Sequence, residues 1–171
     1  MNFQYQHLLP ENFAPESKVW IFQSSRPFSI TEALNIEGQL EDFIQSWKSH
    51  GAPVKGYANL FFGQFVVLMA DETHISVGGC STDGSVRVIK QMEEQFNVQF
   101  FDRTSLAFVV KDKVQLLPLS QLAYAVEHQF IDANTLYFNN TVLTLDAFRH
   151  QWLIPVKNSW LANRLPKSTL A

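Results

Sequence analysis

Most of the groups in this sequence that could do chemistry lie in one ten-residue stretch, Gly78 to Arg87. It is GGCSTDGSVR, and it contains the only cysteine of the chain, Cys80, among glycines, hydroxyl groups and an aspartate. A thiol at the N-terminus of a helix generally has a lowered pKa and is more nucleophilic at neutral pH. A helix start also leaves backbone N–H groups unpaired, and the helix dipole favours an anion there. The stretch therefore predicts either an anion-binding site or a reactive cysteine.

A catalytic cysteine needs a base, and the histidines are the candidates. His74 lies six residues before Cys80 in the same predicted extended segment, and at about 3.3 Å per residue it would be roughly 20 Å away. His50 follows the first predicted helix, and Asp83 or Asp102 could orient its imidazole. One hypothesis is therefore a cysteine-dependent enzyme of the thioester or acyl-transfer type that uses Cys80 and His50. The alternative is an inert Cys80, because lone cysteines are usually small buried residues.

The leading hypothesis is binding without catalysis, with a small anionic ligand or a protein partner at this helix start. The positive charge would come from lysines and arginines of the helix and of neighbouring segments. The predicted ligand-binding residues are Lys55, Gly79, Ser81, Thr82, Asp83, Ser85, Arg87, Asp102 and Arg103. In the alternative, Ser81, Thr82 or Asp83 caps the helix and satisfies the free N–H groups itself.

Alternating and helical patterns predict the elements that position these residues. Lys18 to Gln23 is β-rich and predicts the first strand. Ser29 to Glu32, SITE, has the spacing of a capping box, and the apolar residues after it recur at helical spacing until the chain reaches Gly51. Lys55 to Ala70 is β-branched and aromatic apart from Gly63, which predicts one bulged strand or two strands with a tight turn.

The second half of the predicted core begins with a short strand, His74 to Gly78. A helix then opens at STDGS and ends at Phe96, and Val98 to Phe101 is the predicted fourth strand, with Leu106 to Val110 as the alternative. This order is that of a split βαβ, ferredoxin-like unit of the α+β class. We expect a single domain over residues 18–171, with this core at 18–103 and an extension of a hairpin and helices at 104–171. Residues 1–17 are predicted to form a loosely ordered segment before this domain.

This topology has a consequence for the Cys80 stretch. The strand that leads to it runs antiparallel to the first strand, so it ends at the edge of the sheet opposite Ser24 to Pro27. The turn HGAPVKG, His50 to Gly56, and the end of the predicted fourth strand, FFDR, Phe100 to Arg103, lie at the same predicted edge. The sequence therefore predicts that three polar segments converge on Cys80.

Composition bears on the partners. The net charge is −3 with scattered lysines and arginines, so no nucleic-acid partner is predicted. Charged residues make up 17%, below the typical figure of about 25%, and phenylalanine occurs 15 times. Such a surface favours a homodimer or a protein partner through exposed aromatic residues, although a phenylalanine-rich core would explain the same composition. A third hypothesis is therefore a structural or adaptor protein without a ligand site.

Several common sites lack their sequence patterns. The histidines show neither HxxxH nor HxH spacing, so no metal site is predicted. The absence of GxxxxGK[ST], GxGxxG and GxSxG removes the phosphate-loop, dinucleotide and hydrolase patterns, and no cofactor is expected. No signal peptide is evident, and the longest apolar run, Phe65 to Ala70, is far shorter than the roughly 20 residues that span a bilayer. With a single cysteine, this predicts a soluble cytoplasmic protein without a membrane partner.

The chain resembles a family of short bacterial proteins, often labelled "ABC transporter ATPase", that has no settled activity. The resemblance extends from about Val19 to Trp160. It rests on VWIFQSSRPF, HGAPVKG, FVVLMADE, GGCSTDGSVR, FFDR, DANTLYFNNTV and NSW. An ATPase of that class needs a phosphate loop with its lysine and a downstream carboxylate that holds magnesium. This sequence has no such loop, so the resemblance implies no ATPase activity.

Overall fold

The computed structural model describes residues 1–166, which divide into two compact units. The first, the Cys80 unit, comprises Tyr5–Asp102 and Leu143–Arg149. The second, the hairpin unit, comprises Met1–Gln4, Arg103–Val142 and the chain from His150. The sequence predicted one domain over residues 18–171, whereas the structure has two units, and residues 143–149 return to the first.

The Cys80 unit is built from a sheet, a small hairpin and helices. Its elements are β1 (Lys18–Gln23), α1 (Ile30–Ser46), β2 (Lys48–Ser49), β3 (Ala52–Pro53), β4 (Lys55–Phe61), β5 (Phe65–Asp71), α2 (Gly79–Phe96) and most of α4 (Leu145–Gln151). β1, β5 and β4 form a sheet in that order, and β5 is antiparallel to both neighbours. Lys55 to Ala70 is therefore two strands with a tight turn, in which Phe62 and Gly63 have φ of 54° and 63°.

The sheet has two ends that matter for the site. β1 finishes at the end where Ser24 and the start of α1 lie, which we call the Ser24 end. β5 finishes at the other end, where Asp71 pairs with Lys55, and α2 starts there after a loop; we call it the His50 end. The predicted strand at His74 to Gly78 is wrong, because these residues form this loop instead.

Both long helices bury their apolar residues against one face of the sheet. Ile36 and Leu40 of α1 join Ile89 and Met92 of α2 in a core that includes alternate residues of β5. The opposite face is covered by the N-terminal segment and by α4: the hydroxyl of Tyr5 donates to the carbonyl of Phe148 at 2.7 Å. All seven residues of β5 are buried because both of its faces are covered. Residues 5–17, predicted to be loosely ordered, thus contribute Tyr5 and Leu9 to the buried residues.

The hairpin unit is a second antiparallel sheet with a short helix. Its elements are β6 (Ser105–Val110), β7 (Lys113–Pro118), α3 (Leu122–Glu127), β8 (Leu136–Phe138) and β9 (Leu153–Pro155), with strand order β7-β6-β8-β9. Lys111 and Asp112, both at positive φ, form the turn of the β6–β7 hairpin.

The α+β class is confirmed, since helices accompany two antiparallel sheets of more than two strands. The fourth strand is not where the sequence predicted it. Val98 to Phe101 forms no strand, and the alternative, Leu106 to Val110, lies in β6 of the other sheet. In the described part of the chain, the sheet of the Cys80 unit therefore has three strands.

Candidate functional site

The β2–β3 hairpin and the start of α2 are joined by side-chain hydrogen bonds. The backbone N–H of Gly78 donates to the Ser49 hydroxyl at 3.3 Å, and the Ser81 hydroxyl donates to the carbonyl of Lys48 at 2.8 Å. The indole N–H of Trp47 donates to the carbonyl of Ser81 at 3.2 Å. The structure thus brings the His50 turn and the Cys80 stretch together, as the topology predicted.

His50 lies at the tip of this hairpin and is exposed. It has a φ of 51° and the next residue, Gly51, a φ of 81°, so the turn holds a non-glycine residue in the left-handed region. A methyl group at Gly78 would lie 3.0 Å from Nε2 of His50. The imidazole therefore rests against Gly78, where a side chain would press on it.

The first turn of α2 has no side-chain cap. Its N-cap residue is Gly78, which has no side-chain acceptor, and the backbone N–H groups of Ser81 and Thr82 both donate to the Gly78 carbonyl. The alternative in which Ser81, Thr82 or Asp83 caps the helix is therefore wrong, because all three lie inside the helix. Gly79 precedes them in the first turn, is exposed and has open space around its Cα.

The hydroxyl groups predicted to bind a ligand already donate to backbone carbonyls. Thr82 donates to Gly78 at 3.2 Å and Ser85 donates to Thr82 at 2.7 Å. Ser81 and Ser85 are also buried, so they face the protein interior rather than a ligand. Of the predicted polar side chains of this stretch, Asp83 and Arg87 are exposed.

Lys55, the lysine predicted to attract an anion, is engaged by an ion pair. Its Nζ lies 2.7 Å from Oδ2 of Asp71, whose side chain is 3% exposed, and 4.9 Å from the ring centre of Phe13. The hydrogen bond from Lys55 and that from the Thr73 hydroxyl hold the pKa of Asp71 well below its usual range, and backbone N–H groups of Thr73 and Ala14 add to this. Lys55 therefore neutralises a buried carboxylate at the end of β5.

Arg87 and the segment before Asp102 lie away from the helix start. Arg87 is eight residues after Gly79, about 12 Å further along the helix axis. The ring of Phe101 contacts Phe22 with centroids 5.8 Å apart, near the last residue of β1. The residues before Asp102 therefore lie at the Ser24 end of the sheet and not at the His50 end, where the sequence predicted them. Arg103 begins the hairpin unit and does not belong to the Cys80 unit.

Cys80 is exposed and forms no disulfide, so the expectation that a lone cysteine is buried is wrong. Gly84, one helical turn further on, has open space around its Cα. Within residues 1–166, no hydrogen bond joins the thiol to His50, whose ring contacts Gly78 instead. The Cys80 thiol is accessible, and Cys80 is two residues from Gly78, which the His50 imidazole contacts. The thiol and the imidazole are not hydrogen-bonded to each other as they would be in a catalytic dyad.

Other kinds of site receive no support in the described part of the chain. In residues 1–166 there is no group of three or more histidine, cysteine, aspartate or glutamate residues that could hold a metal ion. Over the same range, none of the helices combines the length and apolar character that crossing a bilayer requires.

Exposed aromatic side chains of the hairpin unit include Tyr124 and Phe130, which are 59% and 64% exposed.

One feature of the Cys80 unit was missed at the sequence level: a groove of about 420 Å³ between α1 and β4. The only signal for it was the pair of small residues, Gly56 and Ala58, in an otherwise bulky strand. Small strand residues often indicate the close approach of another segment.

Comparison with protein-family models, with curated proteins and with solved structures found no significant match to this chain.

Proposed function

We propose that this protein is a cytoplasmic binding protein that holds a small anionic ligand at the start of α2, beside His50. The observation that carries the proposal is the N-cap of α2, Gly78, which leaves the helix without a side-chain acceptor. α2 has 18 residues, and its dipole favours negative charge at the first turn. The N–H groups of Ser81 and Thr82 donate to the Gly78 carbonyl and that of Gly78 to Ser49, so the N–H groups of Gly79 and Cys80 would bind the anion. The exposed imidazole of His50 adds a second donor from a different element.

The groups around the helix start support a ligand with one compact anionic group, such as a phosphate, sulfate or carboxylate. Gly79 and Gly84 leave the approach to the first turn open. Lys55 is paired with Asp71, which leaves Lys48 as the exposed lysine of the hairpin that contacts the helix start. These features favour recognition by backbone N–H groups rather than by a cluster of lysines or arginines.

The test is a thermal unfolding series with sodium sulfate against sodium chloride at matched ionic strength. If sulfate binds, it should raise the melting temperature by roughly 3 °C at ten times its Kd. Gly78→Asp should abolish the effect, because its carboxylate would occupy the helix start, and His50→Ala should reduce it. The matched control is Gly38→Asp, which adds the same group to the exposed middle of α1, where there is open space.

Equal sulfate effects in the wild type, Gly78→Asp and Gly38→Asp would contradict the proposal. Arg87→Ala measures whether that side chain reaches back to the ligand, and a reduced effect would extend the site along α2.

The exposure of Cys80 favours a second candidate, a cysteine-dependent enzyme of the thioester or acyl-transfer type with His50 as base. Its test is the rate of iodoacetamide labelling at pH 7. A catalytic thiolate supported by His50 should label faster in the wild type than in His50→Ala. Equal rates in the two proteins would leave Cys80 as an ordinary surface thiol and remove the enzyme hypothesis.

The strand order β1-β5-β4, in which β1 and β4 are parallel to each other, supports a second proposal, which concerns the fold of the Cys80 unit. We infer that the Cys80 unit is a ferredoxin-like, split βαβ core without its fourth strand. An experimental structure with a strand beside β1 in the position of Val98 to Phe101 would restore the complete core.

A further inference from the structure

The outer edge of β4 is open for pairing with another strand. β4 is the last strand in the order β1-β5-β4, and within residues 1–166 no strand pairs with its other side. The backbone N–H of Leu60 donates to Oδ1 of Asn59 at 2.8 Å, so it points away from β5. Backbone groups alternate in direction along an antiparallel strand, so Gly56 and Ala58 also point outward. An added strand would find the N–H and C=O groups of Gly56 and Ala58 available.

The groove along this edge is walled by one side of α1. Four consecutive residues of β4, Gly56 to Asn59, line it, which places it on the strand edge rather than on one face of the sheet. A methyl group at Gly56 would lie 2.8 Å from the indole of Trp47 and 3.2 Å from Cδ1 of Ile44. Glycine at this position therefore lets α1 pack close to the strand, and the helix wall stands directly beside the open edge.

The helix wall is acidic in its middle and apolar at its start. At about 100° per residue, Ile30, Leu34, Glu37 and Glu41 fall within a stripe about 60° wide. Ile30 and Leu34 are 82% and 65% exposed. Glu37 and Glu41 are also exposed, and neither forms an ion pair within residues 1–166. The wall thus offers two carboxylates and then two apolar side chains.

We propose that an extended basic segment of another protein adds to β4 as a strand and places alternate lysine or arginine side chains against Glu37 and Glu41. Residues four apart on a helix have Cβ atoms about 5–6 Å apart, and residues two apart on a strand are separated by about 6.6 Å. The spacing of the two carboxylates therefore matches a basic-x-basic pattern. An apolar residue of the same segment would contact Leu34 and Ile30.

The acidic wall disfavours the other obvious occupant, a second copy of this chain. Edge-to-edge pairing of two β4 strands would bring two such walls to one junction, and like charges would oppose it. A basic peptide instead combines main-chain hydrogen bonds, which supply affinity, with charge complementarity, which supplies selectivity.

The probe is a fluorescein-labelled ten-residue peptide of alternating threonine and lysine, titrated with the intact protein and followed by fluorescence anisotropy. We expect saturable binding that weakens with salt. A peptide with glutamate in place of lysine should not bind. A lysine peptide methylated at alternate backbone nitrogens keeps its charge but cannot complete the ladder, so it should bind at least tenfold more weakly.

Protein variants separate charge from strand pairing. Glu37→Gln with Glu41→Gln should weaken binding about tenfold, the combined effect of two exposed ion pairs. The matched control, Asp42→Asn with Glu94→Gln, removes two exposed carboxylates elsewhere and should leave binding unchanged. Ala58→Pro removes an outward N–H without removing a bond to β5, so the sheet should persist while binding is lost.

Three outcomes would overturn the proposal. The first is no binding of the lysine peptide, and the second is equal binding of its methylated form. The third is a dimer in sedimentation velocity that Ala58→Pro dissociates, since a second copy would then occupy the edge. None of these depends on sulfate binding at α2, so this proposal and the anion site stand or fall separately.

Discussion

The two long helices of the Cys80 unit begin at opposite ends of the sheet and differ in how their first turns are satisfied. At the Ser24 end, α1 has a complete capping box: the Ser29 hydroxyl accepts from the Glu32 N–H and the Glu32 carboxylate accepts from the Ser29 N–H. Arg26 pairs with the same carboxylate at 2.8 Å. At the His50 end, α2 begins at Gly78, with no side-chain cap.

The charged groups of the His50 end are used for a different purpose. Lys55 pairs with Asp71, and Lys18 with Glu72, which also accepts the Val77 N–H at 2.6 Å. These pairs fix the strand ends and the loop that leads to α2. Charged residues near a helix start therefore do not by themselves cap it. At the Ser24 end they bind the first turn of α1, whereas at the His50 end they bind the loop before α2.

The largest effect should come from removing the buried carboxylate of the His50 end. Asp71→Asn cancels the charge that Lys55 pairs with and weakens the acceptor for the Thr73 and Ala14 N–H groups. We expect a loss of about 2 kcal/mol in the free energy of unfolding, because hydrogen bonds to a charged acceptor stabilise more than those to a neutral amide. The measurement is urea titration with circular dichroism. Asp42→Asn, the same change at an exposed position of α1, is the control and should have almost no effect.

Acid should weaken both ends of the sheet. Hydrogen bonds from Arg26 and from the Ser29 N–H lower the pKa of Glu32 from its ordinary 4.5 to about 2, and the pKa of Asp71 is also depressed. A carboxyl with a depressed folded-state pKa stabilises the fold above its unfolded pKa and loses that contribution as pH falls. Stability should therefore fall as pH drops from 4.5 toward 2. Glu32→Gln and Asp71→Asn should each flatten this dependence, and an unchanged slope in both would contradict it.

The smallest effects concern the caps themselves. Ser29→Ala should cost about 1 kcal/mol in unfolding free energy, because it opens a satisfied first turn. Gly78→Ser should change the unfolding free energy by only a few tenths of a kcal/mol, because the small gain of serine over glycine at an N-cap is offset by the shift that its Cβ imposes on the His50 ring. Sulfate stabilisation should nevertheless decrease in Gly78→Ser and persist in Ser29→Ala. The opposite pattern would mean that the two helix starts do not differ in the way described above.

The sequence predicted the Ser24 end much better than the His50 end. Ser29 and Glu32 are three residues apart and act on the same helix, so local spacing was sufficient. The convergence of His50 with the Cys80 stretch was predicted from a strand at His74 to Gly78 that does not form, and it holds because β5 runs in the direction assigned to that strand. Lys55 was misjudged because its partner, Asp71, is adjacent only across a strand pair. The position of Gly78 as N-cap was missed because Ser81, Thr82 and Asp83 are better cap residues by type.

The groove beside β4 was beyond sequence reasoning for a related reason. Gly56 is needed because Trp47 and Ile44 approach the strand there, and this approach depends on how α1 lies on the sheet. Val98 to Phe101 has the composition of a strand but forms none. Its contacts beside β1 are one backbone bond, from the Ser25 N–H to the Gln99 carbonyl, one bond from the Gln99 N–H to the Ser25 hydroxyl, and a ring contact with Phe22, which do not make a ladder. Composition records what a segment could pair with, and only tertiary structure decides whether it does.

The hydrogen bond between Tyr5 and Phe148 has a consequence for the order of events during synthesis. The sheet face that carries Phe61 is closed by α4, but the 40 residues from Arg103 to Val142 belong to the other unit and are translated first. At typical rates of about 5–20 residues per second, this interval lasts roughly 2–8 s. During it, the apolar residues of β5 on that face have only the N-terminal segment over them. The nascent chain should therefore bind chaperones most strongly between the emergence of β5 and the emergence of α4, and ribosome-bound chains that end before residue 143 should remain protease-sensitive.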